Sequence, residues 1–261
     1  MKTTDPWTLL LQELDTWIAQ KETATLWWRD DDAISSGPKL DRLIRITSKC
    51  GLLLAVIPAT VNSSLEKTVA NAAHVQVAQH GYAHINHAPR GQGLGAWEIG
   101  LHRGHRAVLD DLDKGRAILE DLFGDDFLSV LVPPWNRIDF ALFDAIAARH
   151  YCAVSAFGPR TASEPVPGLT QINAHCDPIR WKGGAHFGGE AKTLNQLISH
   201  LQSRRTGTAD AHEPTGFLTH HIDLDDTGWE FCERLVSVVN DHSGAQWLHP
   251  DKVFSPAGSW P

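Results

Sequence analysis

The stretch Thr25-Leu26-Trp27-Trp28-Arg29-Asp30-Asp31-Asp32 passes in one step from apolar, β-forming residues to three successive carboxylates. Its first half, 25–28, reads as a buried strand. The C-terminal end of such a strand is where parallel α/β folds gather their catalytic groups. Adjacent carboxylates repel one another, so a compensating cation or arginine is expected beside them, which favours a metal site over a chance acidic run. Taken alone, the segment also reads as a solvated loop with an N-cap aspartate ahead of the next helix.

Working outward, strand and helix patterns alternate. A helix follows Pro38, with Leu40, Leu43, Ile44 and Thr47 at helical spacing and Gly51 as its stop. Strand 52–57, a helix from Ser63 and Ser64 to 73, and strand 75–78 come next. A long helix over 97–123 carries Val108, Leu112, Leu119 and Leu122 on one side, capped by Gly124. Strand 129–132 meets Pro133 and Pro134, and a helix over 140–150 follows. Shorter strands at 153–156 and 171–173, a helix over 190–204, strand 217–220 and a helix over 229–240 complete the series. This alternation predicts a parallel sheet with helical crossovers, closed into a barrel or left open and doubly wound. No repeat and no long linker divides the chain, so one domain over 1–261 is expected, with an N-terminal helix in 1–24 and the sheet in 25–249.

The 261 residues are 42% apolar, enough for a sizeable core. With 23 Lys plus Arg against 31 Asp plus Glu, the net charge is −8 and no basic run is present, so nucleic acid is a poor partner. The longest apolar run, 52–59, is far short of the roughly 20 residues of a bilayer span. Asp5, Glu13 and Asp15 stand where a signal peptide is apolar, so no membrane partner and a cytoplasmic location are expected. Cys50, Cys152, Cys176 and Cys232 form no C-x-x-C pair and read as packing residues.

Three more strand ends carry chemistry. In Gln79-His80-Gly81-Tyr82-Ala83-His84-Ile85-Asn86-His87, two histidines four apart can meet one ion. A helical zinc-protease site needs Glu directly after the first histidine, where Gly81 stands, so a strand-end loop is the better frame. His87 reads as a supporting or surface group, and His102 and His105 as solvated. In Val132-Pro133-Pro134-Trp135-Asn136-Arg137, two prolines without N–H groups fix the backbone, and Trp135 offers the first free donor, suited to an oxyanion. The Trp135 indole would form a wall of the cleft. In Leu218-Thr219-His220-His221 either histidine is a candidate general acid.

In this order, the four elements resemble the polysaccharide deacetylases, carbohydrate esterase family 4, over about 26–247. The family's T-F-D-D-G corresponds to Arg29-Asp30-Asp31-Asp32-Ala33, with Asp31 and Asp32 on its two carboxylates; the frame Asp30 and Asp31 is the alternative. H-[S/T]-x-x-H corresponds to His80 and His84, with Gly81 in place of the hydroxyl residue. R-x-P-Y corresponds to Val132-Pro133-Pro134-Trp135, with Val132 in place of Arg. A fourth motif corresponds to Asp177 and Trp181, and L-x-L-H to Phe217-Leu218-Thr219-His220, or to His221 with a shift of one.

The resemblance implies a distorted (β/α) barrel of about seven strands, the NodB-homology type, and a metal-dependent hydrolase acting on an acetylated saccharide or related amide. Asp32, His80 and His84 would hold zinc or another divalent transition metal, which keeps an open position beside three protein ligands. Asp31 would act as base, Trp135 and Pro134 would shape the oxyanion and substrate groove with Trp181, and His220, oriented by Asp177, would act as acid. Asp30 and His87 would support this set. Arg29, on the same strand face as Asp31, and Arg137 are the two candidates for the charge that Val132 does not supply. Two other readings are a nucleotide-sugar glycosyltransferase holding Mg or Mn through Asp30-x-Asp32, and an inactive sugar-binding protein on the same scaffold.

Overall fold

Strand β1 (Ala24–Ala33) runs straight through the acidic triad instead of ending before it. It lies at the centre of the fold, paired in parallel with β10 (Thr215–Thr219) on one side and β2 (Leu52–Val56) on the other, while β11 (Ala245–Trp247) pairs with its first three residues. The computed structural model describes residues 5–255, so the outermost ends of the expected 1–261 domain, 1–4 and 256–261, lie outside the described residues.

From β2 the parallel sheet continues through β3 (Val75–His80), β4 (Phe127–Val132) and β5 (Ala153–Val154) to β6 (Thr170–Gln171). On the other flank β10 pairs with β7 (Ala174–Cys176). Strands β6 and β7 are two parts of one run, 170–176. Its first part pairs with β5 and its second with β10, and a parallel bridge between Phe157 and Ala174 joins the two sides. The ring is thereby closed as a distorted barrel, in agreement with the expected architecture. A small hairpin of β8 (Ile179–Arg180) and β9 (His186–Phe187), absent from the sequence-based reading, follows β7.

Helices α1 (Pro6–Ala19), α2 (Pro38–Thr47), α3 (Ser64–Ala70), α4 (His105–Phe123), α5 (Phe143–Ala147), α6 (Glu190–Arg205) and α7 (Asp226–Asp241) surround the sheet, and α8 (Pro250–Val253) follows β11. Alternation along the strands divides the core. Trp28, Leu52, Leu54, Val75, Val77 and Phe217 meet the helices, whereas Trp27, Leu53, Ala55, Ala78, Val130, Val132 and Ala153 form a smaller cluster with Val253 and Phe254. Phe254 stands edge-on to Trp27 at 5.2 Å between ring centres, so the C-terminal segment packs on the barrel filling.

Two expected helices are shorter than their patterns. The helix expected over 97–123 begins only at His105, because Ile99 bridges Ile138 and a short 3-10 turn, Leu101–Arg103, ends at Gly104 with φ of 80°. The helix expected over 140–150 is a 3-10 turn followed by α5, ending at Ala147. His102 and His105 are exposed, as their spacing implied.

Between β7, β10 and α6 lie three buried groups, His175, His200 and Glu213. The Gly216 N–H donates to His175 Nδ1, which leaves the proton on Nε2, facing Glu213 Oε2 at 3.4 Å. The rings of His175 and His200 stack at 3.4 Å and 13°, so their in-plane lone pairs run side by side rather than converging. The protonated nitrogen, the parallel rings and the neighbouring Arg160 and Arg204 make this a packed polar layer instead of a cation site. Burial, reinforced by those arginines, holds His175 well below the ordinary imidazole range, and burial with the charge of His175 brings His200 down to about 2. Both groups therefore fold neutral, while in the unfolded chain they take up protons below about pH 6.5. Stability contributed by each is present above that pH and is lost as pH falls toward the folded-state pKa. Asparagine at position 200 can keep the hydrogen bond that His200 Nδ1 makes with Thr215 Oγ1. The variant His200→Asn should thus lose about 1.4 kcal/mol less stability than the parent between pH 7.5 and 5.5. Equal losses in urea titrations of the two proteins would refute this.

Candidate functional site

A bulge separates the three acids of β1. The pairing register with β2 shifts between Asp30 and Ala33, and Asp32 has φ of 68°. On a regular strand Asp31 and Asp32 would face opposite sides; the bulge turns both into one cleft. Asp30 faces the helical side. Its Oδ2 accepts from Thr219 Oγ1 (2.6 Å) and the His221 N–H (2.9 Å), and its Oδ1 lies 2.5 Å from His221 Nδ1.

The cleft, about 490 Å³, opens at the C-terminal ends of the strands. Asp31, Asp32, His80, His84, Trp135, Asn136, Arg137, Phe157, Asp177, Trp181 and His220 line it. His80 Nε2 and His84 Nε2 lie 3.1 and 3.3 Å from the same atom, Asp32 Oδ1. That oxygen is buried and meets no donor other than these two imidazoles among the described residues. His80 Nδ1 bonds to Val132 O at 3.0 Å, which orients Nε2 toward the cleft. Burial raises the Asp32 pKa, but the hydrogen bond from His80 and the charges of His80, His220 and His84 outweigh it and hold the carboxyl well below its ordinary range. His80 shows the complement: burial lowers its pKa, yet Asp31 and Asp32 carry it upward. His84 is lowered by burial and by the charge of His80. Two imidazole nitrogens and one carboxylate oxygen, mutually in reach, fit zinc or a similar transition ion better than a hard cation.

Arg29 is fully buried and spans the cleft floor. Its Nε lies 2.9 Å from Asp31 Oδ1, and its Nη2 donates to Asp31 Oδ2 at 3.0 Å and to Asn136 Oδ1 at 2.6 Å. Its Nη1 donates to Ser155 O (2.8 Å), Ser155 Oγ (2.9 Å) and Ala156 O (3.1 Å). Of the two candidate arginines, therefore, Arg29 meets Asp31. Arg137 donates instead to Leu94 O and Ala96 O at the rim. Val132, in the place of the family's arginine, is barrel filling.

Trp135 and Asn136 are consecutive left-handed residues, φ 55° and 56°, after the two prolines. The Asn136 and Arg137 N–H groups close the turn on Pro133 O and Pro134 O. The Trp135 N–H has no acceptor among the described residues, and its indole lies 4.3 Å from the His84 ring. Pro134 is buried behind His84's loop. Across the cleft His220 exposes 8% of its surface, and its Nδ1 has no partner among the described residues. Asp177 does not bond to it: its Oδ2 accepts from Trp181 Nε1 (2.8 Å), and Trp181 in turn stands edge-on to His220 at 4.7 Å.

Most residues singled out from the sequence thus meet in one cleft. Asp30 and His221 pair with each other behind it, and His87 is not among its lining residues. Four contributors went unrecognised in the sequence. Phe157 follows a strand end and was open to the same rule as the others. Asn136 stood inside a quoted motif. Ser155, which accepts from Arg29, and Glu98, which accepts from the Tyr82 and Ala83 N–H groups between the two histidines, carry no local signal, since their contacts are made across the fold. A second cleft, about 550 Å³, lies by Trp17 and Thr25; its Arg204 is fully engaged with Thr25, Ala211 and Thr215.

No protein-family model matches the sequence, and no curated protein matches it. Solved structures do. A candidate polysaccharide deacetylase from Mycobacterium smegmatis superposes with a TM-score of 0.64 at 13% identity, over 88% of each chain. The catalytic domain of a peptidoglycan N-acetylglucosamine deacetylase from Eubacterium rectale gives 0.53 at 14% identity, over 91% of this chain and 92% of that one. A polysaccharide deacetylase from Bacillus cereus gives 0.52 at 11% identity, over 92% and 98%. With its parallel strands, closing run and cleft at the strand ends, this chain has the fold of the polysaccharide deacetylases.

Proposed function

We propose that this chain is a metal-dependent deacetylase that hydrolyses the acetyl group of an acetylated saccharide or related amide. The observation that carries the reading is the convergence of His80, His84 and Asp32 on one point beside the Arg29-held Asp31, with His220 facing them in the same cleft. Held by Asp32, His80 and His84, a zinc or similar ion would supply Lewis acidity and bring the pKa of a water toward about 7.

The chain's own groups do the rest. Asp31 takes the proton of the attacking water; Arg29 fixes its carboxylate from behind and balances its charge. The Trp135 N–H, held rigid by Pro133 and Pro134, donates to the developing oxyanion. His220 protonates the leaving amine or alcohol. Trp181, tied down by Asp177, and Trp135 give the sugar ring two apolar walls and keep bulk water from His220 and His84. The glycosyltransferase reading loses its metal site, since Asp30 is occupied by Thr219 and His221 behind the cleft.

The test is zinc analysis joined to acetate release from soluble N-acetylated chito-oligosaccharides. Zinc-loaded protein should release acetate, chelation should stop it and zinc should restore it. His80→Ala and His84→Ala should each lose stoichiometric zinc and activity together. Stoichiometric zinc in either variant would overturn the ligand assignment, and sugar binding indifferent to metal, without acetate release, would point to the inactive sugar-binding protein.

Removing Arg29 strands Asp31 as a buried, uncompensated charge. Arg29→Met should therefore lower stability by about 3–5 kcal/mol and abolish turnover, whereas Arg137→Met, at the rim, should cost well under 1 kcal/mol. Urea unfolding and kcat/KM of the two variants decide this, and the reverse ranking would transfer the role to Arg137.

A further inference from the structure

The chain has only three residues between His80 and His84 in which to turn both imidazoles onto Asp32. It does so through two left-handed positions, Gly81 (φ 56°) and His84 (φ 54°). A left-handed conformation is costly for a residue with a side chain, so His84 needs something to hold it there. Between these positions the N–H groups of Tyr82 and Ala83 both point at one carboxylate. Glu98 Oε2 accepts from Tyr82 at 3.1 Å and Oε1 from Ala83 at 2.8 Å, and Glu98 is 2% exposed.

The space Glu98 fills exists because position 81 is glycine. A Cβ there would fall 2.0 Å from Glu98 Oε2 and 2.6 Å from Pro134 Cγ. Glu98 is itself anchored: Ile99 bridges Ile138, and the Asp139 N–H donates to Ile99 O at 3.2 Å. The carboxylate thus ties the loop of His84 to the segment that pairs beyond Trp135, and the rings of His84 and Trp135 meet between them. Hydrogen bonds to a carboxylate are the strong kind, and two part-buried amides left unmet would each carry a desolvation penalty.

We infer that Glu98 is a positioning residue that sets His84 Nε2 for metal binding, an inference that rests on the metal role proposed for Asp32, His80 and His84. The experiment is chelator-competition titration of the protein with Zn²⁺, run beside amide hydrogen exchange of the metal-free form. In Glu98→Gln one carboxylate oxygen becomes an NH₂ that cannot accept, so Zn²⁺ affinity should fall about 10–100-fold. Exchange at 82–84 should quicken while β3 and β4 stay protected. Glu98→Asp, one methylene shorter, should fall between the two and serves if the glutamine variant does not fold. A folded variant with wild-type Zn²⁺ affinity, or exchange that quickens throughout the barrel alike, would overturn the inference. Wild-type protein that binds no Zn²⁺ would overturn the metal reading itself, and this inference with it.

Discussion

The ion pair of Arg29 with Asp31 is the constraint around which the cleft is arranged. A guanidinium and a carboxylate taken wholly out of water cost several kcal/mol each, and their mutual attraction offsets this only if every remaining donor is met. With Nε set against Asp31 Oδ1, the two Nη groups of Arg29 find their acceptors on three elements at once: Asp31 on its own strand, Asn136 beyond β4, and Ser155 with Ala156 beyond β5. One side chain thus fixes the spacing of three strand ends. The same geometry leaves the Asp31 carboxyl facing the cleft, held from behind.

Around that pair, the bulge at Asp32 converts a run of three acids into three separate roles. Asp30 turns to the helical side, where Trp28 Nε1, Thr219 and His221 form a chain of hydrogen bonds that locks β1 to β10 and so sets where His220 begins. Asp31 turns inward to Arg29, and Asp32 turns to the two imidazoles. Had the strand stayed regular, Asp31 and Asp32 would lie on opposite faces, and no single cleft could use both.

Much of this was legible because it follows from local pattern. Apolar runs of strand length ending in polar clusters placed β1, β3, β4 and β10, and with them Asp31, Asp32, His80, His84, Trp135 and His220. Alternation alone put Arg29 on the face of Asp31. What stayed hidden depends on contacts distant in sequence. The barrel closes through 170–176, too short and too broken a run to show a period. Segment 97–104 has helical spacing, but the pairing of Ile99 with Ile138 and the short 3-10 turn that ends at Gly104 keep it out of the helix, and that interruption is what delivers Glu98 to His84's loop. Asp177 was placed beside His220 by motif order, whereas in the fold it reaches that histidine only through the Trp181 indole.

The left-handed pair Trp135 and Asn136 shows how these parts depend on each other. Two consecutive strained residues persist only where their surroundings over-determine them. Here Asn136 is held by Arg29 Nη2 and Trp135 by the ring of His84, while Pro133 and Pro134 leave the turn few other conformations. The strain of this turn at the cleft wall is therefore carried by the same arginine that holds Asp31 and by the loop that holds His84. Asp31, the turn of Trp135 and Asn136, and the loop of His84 are thus parts of one connected network, so a change at any one of them is felt at the other two.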